Sequence, residues 1–305
     1  MVRPTTVAFL VNPASGNGST GKRWPRLSQR AKELGLDGVT FFSQRPGHLI
    51  ELGREAIDGG ADLLVVVGGD GTVNEAANAA AGRDVDLAVI PLGTGVDFVR
   101  TYGIPVRFDD AVRVALEGKP RTIDAGKVSF REGERYFANV SSAGMSGEVA
   151  RRANGMSKRF GGKATFFYAL TRVFLGWQNT EVTVTLDDEE RRGRMHDVIV
   201  ANGQYHGGAM WLAPEASPDD GLFDVVLIGD VSKADFVRTA PKLYKGRHLD
   251  HPKVELLRSR TVTVEAAEPL PIELDGEQVG TTRARWEIAP GALRVRVPTS
   301  SSPPA

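Results

Sequence analysis

No cysteine occurs among the 305 residues, which excludes disulfides, thiolate metal sites and cysteine nucleophiles and fits a reducing compartment. Neither sign of charge dominates: Lys plus Arg and Asp plus Glu both total 38. No global field therefore draws nucleic acid, which is not expected as a partner, and any attraction to a membrane must be local. Long apolar runs are missing too. Val7 to Val11 is too short for a signal peptide, and nothing approaches the roughly 20 residues that span a bilayer. The expectation is a cytoplasmic chain that starts where the sequence does. Five histidines are scattered without metal-ligand spacing, so zinc chemistry has no support, and no internal repeat is visible.

What is present is 41% hydrophobic residues, ample for a core and enough for one large or two ordinary domains. The organising stretch is Leu63 to Ala81, LLVVVGGDGTVNEAANAAA. Leu63 to Val67 read as a buried parallel strand. Gly68, Gly69, Asp70 and Gly71 break the pattern, and Val73, Ala76, Ala77 and Ala80 recur at helical spacing. Such a strand, glycine turn and helix lets backbone amides and a helix N-terminus approach a bulky anion. Asp70 would repel a phosphate unless a divalent cation lay between them, held by carboxylate and phosphate oxygens together.

Two more small-residue loops follow strands. Thr6 to Val11 ends in Asn12-Pro13-Ala14-Ser15-Gly16-Asn17-Gly18, and Leu87 to Ile90 ends in Pro91-Leu92-Gly93-Thr94-Gly95. The spacing predicts helices over 23–34, 48–57 and 109–117 and a strand over 39–42. Alternation of this kind argues for a parallel sheet covered on both faces, with ligands outside the carboxyl ends of its strands. Asp97 follows the third loop as Asp70 follows the second, so the two could share Mg²⁺. Neither loop is a Walker A or GxGxxG motif, and a tight turn with a helix cap is the bland alternative for each.

After about Arg121 the texture becomes β-rich, with a hairpin over 122–141 and runs at 181–186, 195–202, 222–228, 261–266 and 293–297, interrupted by helical stretches over 147–175 and 232–244. An antiparallel, sandwich-like second region is expected. Residues 1–122, possibly completed by about 290–298, would form the α/β domain, 123–289 the β-rich domain, and 299–305 a disordered tail. Leu274-Asp275-Gly276-Glu277 carries the Asp-Gly signal of a hairpin; in extended structure Asp275 and Glu277 would share a face as a carboxylate pair. Ser217, Asp219 and Asp220 could offer oxygens to a cation beside the Leu222 carbonyl, although a solvated acidic turn serves equally. Arg151, Arg152, Lys158, Arg159, Lys163 and Arg172 interleave with Phe160, Phe166, Phe167, Tyr168, Phe174 and Trp177, a pattern that suits either an anionic lipid surface or core aromatics with a wet charged face.

Taken together, VNPASGNG at 11–18, VVGGDGTVNEAAN at 66–78, PLGTGVDFVR at 91–100, IDAGKV at 123–128 and LDGE at 274–277 resemble the bacterial diacylglycerol kinase catalytic family of lipid kinases. The resemblance runs in order over about Thr5 to Val297. It implies an NAD kinase- and phosphofructokinase-like α/β domain and an ATP-dependent, Mg²⁺-requiring kinase acting on a lipid hydroxyl at the membrane surface, peripherally and transiently, with room for a homodimer. Carried over by position, Asn12, Pro13, Ala14, Ser15, Gly16, Gly68, Gly69, Asp70, Gly71, Thr72 and Asn74 would bind ATP phosphates. Gly93, Thr94, Gly95 and Ser43 would complete the nucleotide site. Asp70, Asp97 and Asp124 would order the catalytic Mg²⁺; Asp275 or Glu277 would be the general base; and the Ser217 carbonyl, Asp220 and the Leu222 carbonyl would hold a second Mg²⁺. Val96 stands where the family's usual motif has Asn. The alternatives are a soluble-substrate kinase of the NAD kinase type and a regulatory homologue that binds nucleotide without transfer.

Overall fold

A computed structural model of the protein describes residues 5–93, 95–156 and 162–299, with the side chains of 162–164 outside that description. Thr94, Lys158, Arg159, Phe160, the Lys163 side chain and residues 300–305 of the expected tail therefore lie outside the described residues. The chain divides into two compact units, Met1–Ile123 with Gly291–Ala305, and Asp124–Pro290.

The first unit alternates strand and helix: β1 (Val7–Val11), α1 (Ser19–Glu33), β2 (Val39–Phe42), α2 (His48–Asp58), β3 (Leu63–Gly68), α3 (Asp70–Ala80), β4 (Asp86–Pro91), α4 (Asp97–Thr101) and α5 (Phe108–Glu117). The strand order is β2-β1-β3-β4, all parallel. Every residue of β3 and β4 is buried, as expected where helices cover both faces. Phe9, Trp24, Val65, Ile90 and Val112 share one core. Because β1, β3 and β4 are neighbours, the loops after them leave the same sheet edge. α1 begins at Ser19, four residues before the spacing predicts, and α4 was invisible to periodicity because one turn and a half has no period to read.

The second unit contains β5 (Lys119–Phe130, from Asp124 onward), β6 (Gly133–Phe137), β7 (Val140–Gly144), α6 (Met145–Asn154), α7 (Gly162–Gly176), β8 (Thr180–Leu186), β9 (Glu189–Met195), β10 (Asp197–Ala201), β11 (Tyr205–His206), β12 (Met210–Trp211), β13 (Phe223–Ile228), α8 (Lys233–Leu243), β14 (Val254–Ser259), β15 (Thr261–Ala266), β16 (Pro271–Leu274), β17 (Glu277–Thr281) and β18 (Ala284–Val297). One antiparallel sheet runs β14-β13-β10-β7-β16-β17, and β9, β8, β15 and the first residues of β18 form another. Val198, Val200, Val225 and Leu274 from the first sheet and Val184, Val262, Val264 and Trp286 from the second share one core. The unit is thus an antiparallel β-sandwich. The last residues of β18 belong to the first unit, where Arg294 and Val295 lie parallel to β4, and Arg294 and Arg296 donate to the buried Asp86 carboxylate.

The helical stretch foreseen over 147–175 is broken into α6 and α7. Phe166, Phe174 and Trp177 pack half-buried around Val149 and Val173, whereas Phe167 and Tyr168 are exposed. The aromatics thus divide between a half-buried set and an exposed pair. Among the described residues no helix is long and apolar enough to cross a membrane.

Candidate active site

In the first unit the three small-residue loops touch one another, and the contacts explain their glycines. A Cβ on Gly93 would lie 2.4 Å from Gly69 Cα, and one on Gly95 would lie 2.4 Å from Asp70 Oδ2. Gly16, Asn17 and Gly18 are consecutive left-handed residues; Gly16 also sits where a Cβ would meet the Leu92 carbonyl at 2.7 Å. Left-handed turns next to right-handed ones gather successive N–H groups into an anion-binding concavity. Asn12 fixes its start, accepting from Ala14 N at 3.0 Å and donating to Thr72 Oγ1 at 3.4 Å. Pro13 and Ser15 continue the turn, whose amides bond back to Asn12 and Ala14 carbonyls. Ser43, at the end of β2, donates its N–H to the Val11 carbonyl, which places it on the same sheet edge.

The helices that leave these loops keep their N-termini uncapped by side chains: Gly18 precedes α1, which has no acid in its first turn, and Gly69 precedes α3. Such ends favour anions. Asp70 is the exception, and its geometry resolves the conflict. Its Oδ1 accepts from Phe98 N at 3.0 Å and its Oδ2 from Asp97 N at 3.2 Å. The carboxylate therefore caps α4 from another loop, as the N-cap Val96 has no side chain able to do. An Asn at that position would supply such a cap itself. Val96 thus departs from the usual motif without leaving α4 uncapped, and Asp97, buried at the first helical position, is held beside Asp70.

Asn74 and Thr72 are buried on α3; Asn74 receives Asn78 Nδ2 on its carbonyl and side-chain oxygens. Glu75 was not singled out by pattern. Its buried carboxylate accepts from Gly47 N and Leu49 N at 3.0 and 2.8 Å, capping α2 from outside. The only sequence signal was an acid on the apolar side of a helix.

In the second unit Asp275 and Gly276, both at positive φ, form the two-residue turn between β16 and β17, as Asp-Gly favours. Asp275 is therefore not in extended structure, and the strand-alternation argument for a shared face does not apply: Asp275 lies in the turn, and Glu277 opens β17. The buried Asp275 carboxylate accepts from Ala138, Asn139 and Val140 N–H groups at 3.0, 3.1 and 2.9 Å. Three amide donors lock it in place. Glu277 is half-exposed.

Behind the turn stands a buried carboxylate that the sequence did not announce. Glu273 accepts from Gly276 N and from Ser142 Oγ at 2.9 Å, and faces His206 Nε2 at 3.3 Å. Burial pushes its carboxyl above the usual range against the pull of His206. Ser146 Oγ lies 2.6 Å from Ser142 Oγ, and Ser146 N donates to Asp197 at 2.9 Å. Asp197 is buried and pushed up to about 7, chiefly by desolvation.

Asp124 belongs to this unit rather than to the unit of Asp70 and Asp97. Its Oδ2 accepts from Gly221 N at 2.8 Å and its N–H donates to the Pro218 carbonyl at 2.7 Å, so it anchors the Ser217–Leu222 turn. In that turn Ser217 Oγ donates to Asp219. Asp220 is engaged by Leu222 N at 3.0 Å and by Arg258. Asp224, buried, has neither carboxylate oxygen hydrogen-bonded; burial lifts it to about 6, with the Arg258 guanidinium 3.8 Å away opposing the rise. Arg258 supplies the positive charge that a cation would bring, so Ser217, Asp220 and Leu222 do not fit a second metal ion as they stand. Among the described residues no group of three or more His, Asp or Glu is arranged to hold a metal. Asp70 with Asp97 does fit Mg²⁺ of the kind bound by one or two carboxylates together with substrate phosphates.

Comparison with known proteins gives one answer. Residues 6–128 match the model of the diacylglycerol kinase catalytic domain and 139–297 that of the YegS C-terminal NAD kinase beta sandwich-like domain. A Mycobacterium tuberculosis protein named diacylglycerol kinase is 30% identical over 297 residues, covering 96% of this chain and 95% of that one. A Pseudomonas aeruginosa protein named "Probable lipid kinase YegS-like" is 33% identical over 273 residues, 88% of each. The crystal structure of a Bacillus anthracis diacylglycerol kinase has the same fold, with a TM-score of 0.71 at 20% identity over 96% of this chain and 97% of that one.

Proposed function

This chain belongs to the diacylglycerol kinase catalytic-domain family, and from that premise we propose that it transfers the γ-phosphoryl group of ATP to the hydroxyl of a lipid such as diacylglycerol, with Mg²⁺. The observation that carries the reading is the loop cluster of the first unit: three loops packed so closely that a Cβ on Gly16, Gly93 or Gly95 would clash, two helix N-termini uncapped by side chains, and one carboxylate fixed among them. Phosphoryl transfer asks for that kind of positioned, electropositive cradle and little covalent chemistry.

In this reading the turn over 12–18 and the α1 and α3 N-termini bind phosphate oxygens, and Ser43, Gly93, Thr94 and Gly95 border the nucleotide. Asp70 and Asp97 hold Mg²⁺, which when bound neutralises the charge that develops on the phosphates. Asp124 acts as the anchor of the 217–222 turn. Glu277 takes the proton of the attacking hydroxyl, because Asp275 is occupied by three amides and serves to fix the turn from which Glu277 projects. The lipid hydroxyl is a weak nucleophile until that proton has an acceptor. Work at a membrane surface is part of the same proposal, since the acceptor lives there; the exposed Phe167 and Tyr168 suit it.

Incubation with radiolabelled ATP, extracted lipids and NAD tests the reading. Label in the organic phase is the expected result, and Asp70→Asn should remove it while circular dichroism stays unchanged. Label in NAD, or nucleotide binding without transfer, would overturn it.

A further inference from the structure

The turn that carries Asp275 and leads to Glu277 is held by a buried carboxylate as well as by the three amides of 138–140. Ile272 and Leu274 of β16 point into the sandwich core, so Glu273 between them faces out of the sheet. It is nevertheless 1% exposed, because the first turn of α6 and the β11–β12 hairpin lie over it. Its two oxygens serve three elements. Oε1 accepts from Gly276 N and lies 3.3 Å from His206 Nε2, and Oε2 accepts from Ser142 Oγ at 2.9 Å. Ser142 is joined in turn to Ser146 of α6, whose N–H donates to Asp197. The charged groups facing Glu273 are thus His206 from the hairpin, Asp275 from its own turn and Asp197 from β10.

His206 is held on a firm support. Gly207, Gly208 and Ala209 are consecutive left-handed residues that reverse the hairpin. Tyr205 stacks on Trp211 at 5.9 Å, and Trp211 Nε1 donates to Gln204. Asn139 already joins this hairpin to the turn, since its N–H donates to Asp275 and its side-chain amide to the Tyr205 carbonyl. His206 adds a second connection, through Glu273 to the N–H of Gly276, the residue immediately before Glu277.

Holding the fold does not require a charge at this place. A neutral amide would accept from Gly276 N without the desolvation that a buried carboxylate costs. What the carboxylate adds is one strong acceptor that binds the turn and the imidazole at the same oxygen.

We propose that His206 and Glu273 are positioning residues for the phosphoryl transfer: the imidazole, carried by the β11–β12 hairpin, fixes the Glu273 carboxylate, which fixes Gly276 N–H and so the direction in which Glu277 leaves the turn. This rests on the reading of Glu277 as the proton acceptor. Both residues act through the turn.

Three variants of the full chain test it: His206→Leu removes the donor, His206→Gln returns an N–H, and Glu273→Gln keeps an acceptor for Gly276 N. With MgATP and dispersed diacylglycerol, His206→Leu should lower kcat about tenfold, the scale of one hydrogen bond to a charged group. KM for ATP should stay within about twofold, and the melting temperature close to that of wild type. His206→Gln should recover kcat to within about threefold of wild type. Combining His206→Leu with Glu273→Gln should cost no more than the worse single change, because the two act through one contact. Amide hydrogen exchange, followed by NMR without any turnover, should quicken about tenfold at Gly276 in His206→Leu and stay unchanged at Val200 in the middle of β10. Wild type that transfers nothing to lipid would sink the kinase reading and leave the exchange result to decide whether the pair holds the turn. Turnover of His206→Leu equal to wild type, unchanged exchange at Gly276, or exchange quickened equally at Val200, the pair then serving stability only, would each overturn the proposal.

Discussion

Asp197→Asn should remove a large part of the pH dependence of the β-sandwich unit's stability. Asp197 is 5% exposed and titrates near 7 in the folded protein against an ordinary 3.8. An acid whose folded value is raised binds protons more tightly in the folded state, so its contribution is fully present below about 3.8 and is lost as pH rises through about 7. The gap of about three pH units, at about 1.4 kcal/mol each, makes that loss about 4 kcal/mol between pH 4 and pH 8. The amide keeps the acceptor for Ser146 N but carries no charge. Relative to wild type it should therefore gain stability progressively from pH 4 to pH 8. His196 runs the other way: held near 4 when folded, it costs stability as pH falls from 6.5, but it does so in both proteins and cancels from the difference. Glu273, also raised, should ionise more readily once its neighbour is neutral, adding to the gain. Urea midpoints followed through the tryptophans of the unit at five or six pH values would measure the difference directly. A wild-type-minus-variant curve flat across pH 4–8 would refute the assignment of Asp197 as a buried, raised acid.

Three further outcomes follow from particular contacts. Gly95→Ala puts a Cβ into Asp70 Oδ2 and should lower turnover at least tenfold with only a small change in melting temperature; turnover equal to wild type would mean that Asp70 need not hold its position. Glu75→Ala strands the Gly47 and Leu49 amides and should destabilise the first unit by about 2–3 kcal/mol, readable by thermal melting, with Glu75→Gln recovering part. Arg258→Ala removes the cation facing Asp220 and Asp224; the loss should be larger at pH 8 than at pH 5, where a raised Asp224 is protonated.

How much of this was legible depends on distance along the chain. The glycine loops and the parallel sheet could be read because each strand, turn and helix is written in consecutive residues, and the sandwich because β8 and β15 alternate while β10 and β13 are short apolar runs. β9 could not: EERRGRM is a polar edge strand whose charges discourage further pairing, and such a strand has no apolar period. The bond from Asp275 to residues 138–140 and the cap from Glu75 to α2 join positions over 130 and about 26 residues apart, and no local pattern encodes a partner at that range. Asp70 lay between these cases. Its loop was plain in the sequence, but that its carboxylate caps α4 in place of Val96 became visible only when the loops were seen packed together.

The return of the last strand to the first unit has a consequence for the order in which the protein is made. Asp86 is almost fully buried, and the arginines that match its charge come 208 and 210 residues later. At about 5–20 residues per second of synthesis, the ribosome needs on the order of 10–40 s to deliver them. During that interval the nascent α/β unit carries an unanswered carboxylate beside β4, with no closing strand. Closure of that sheet should therefore wait until the sandwich has been synthesised, although most of the unit's own residues emerge first.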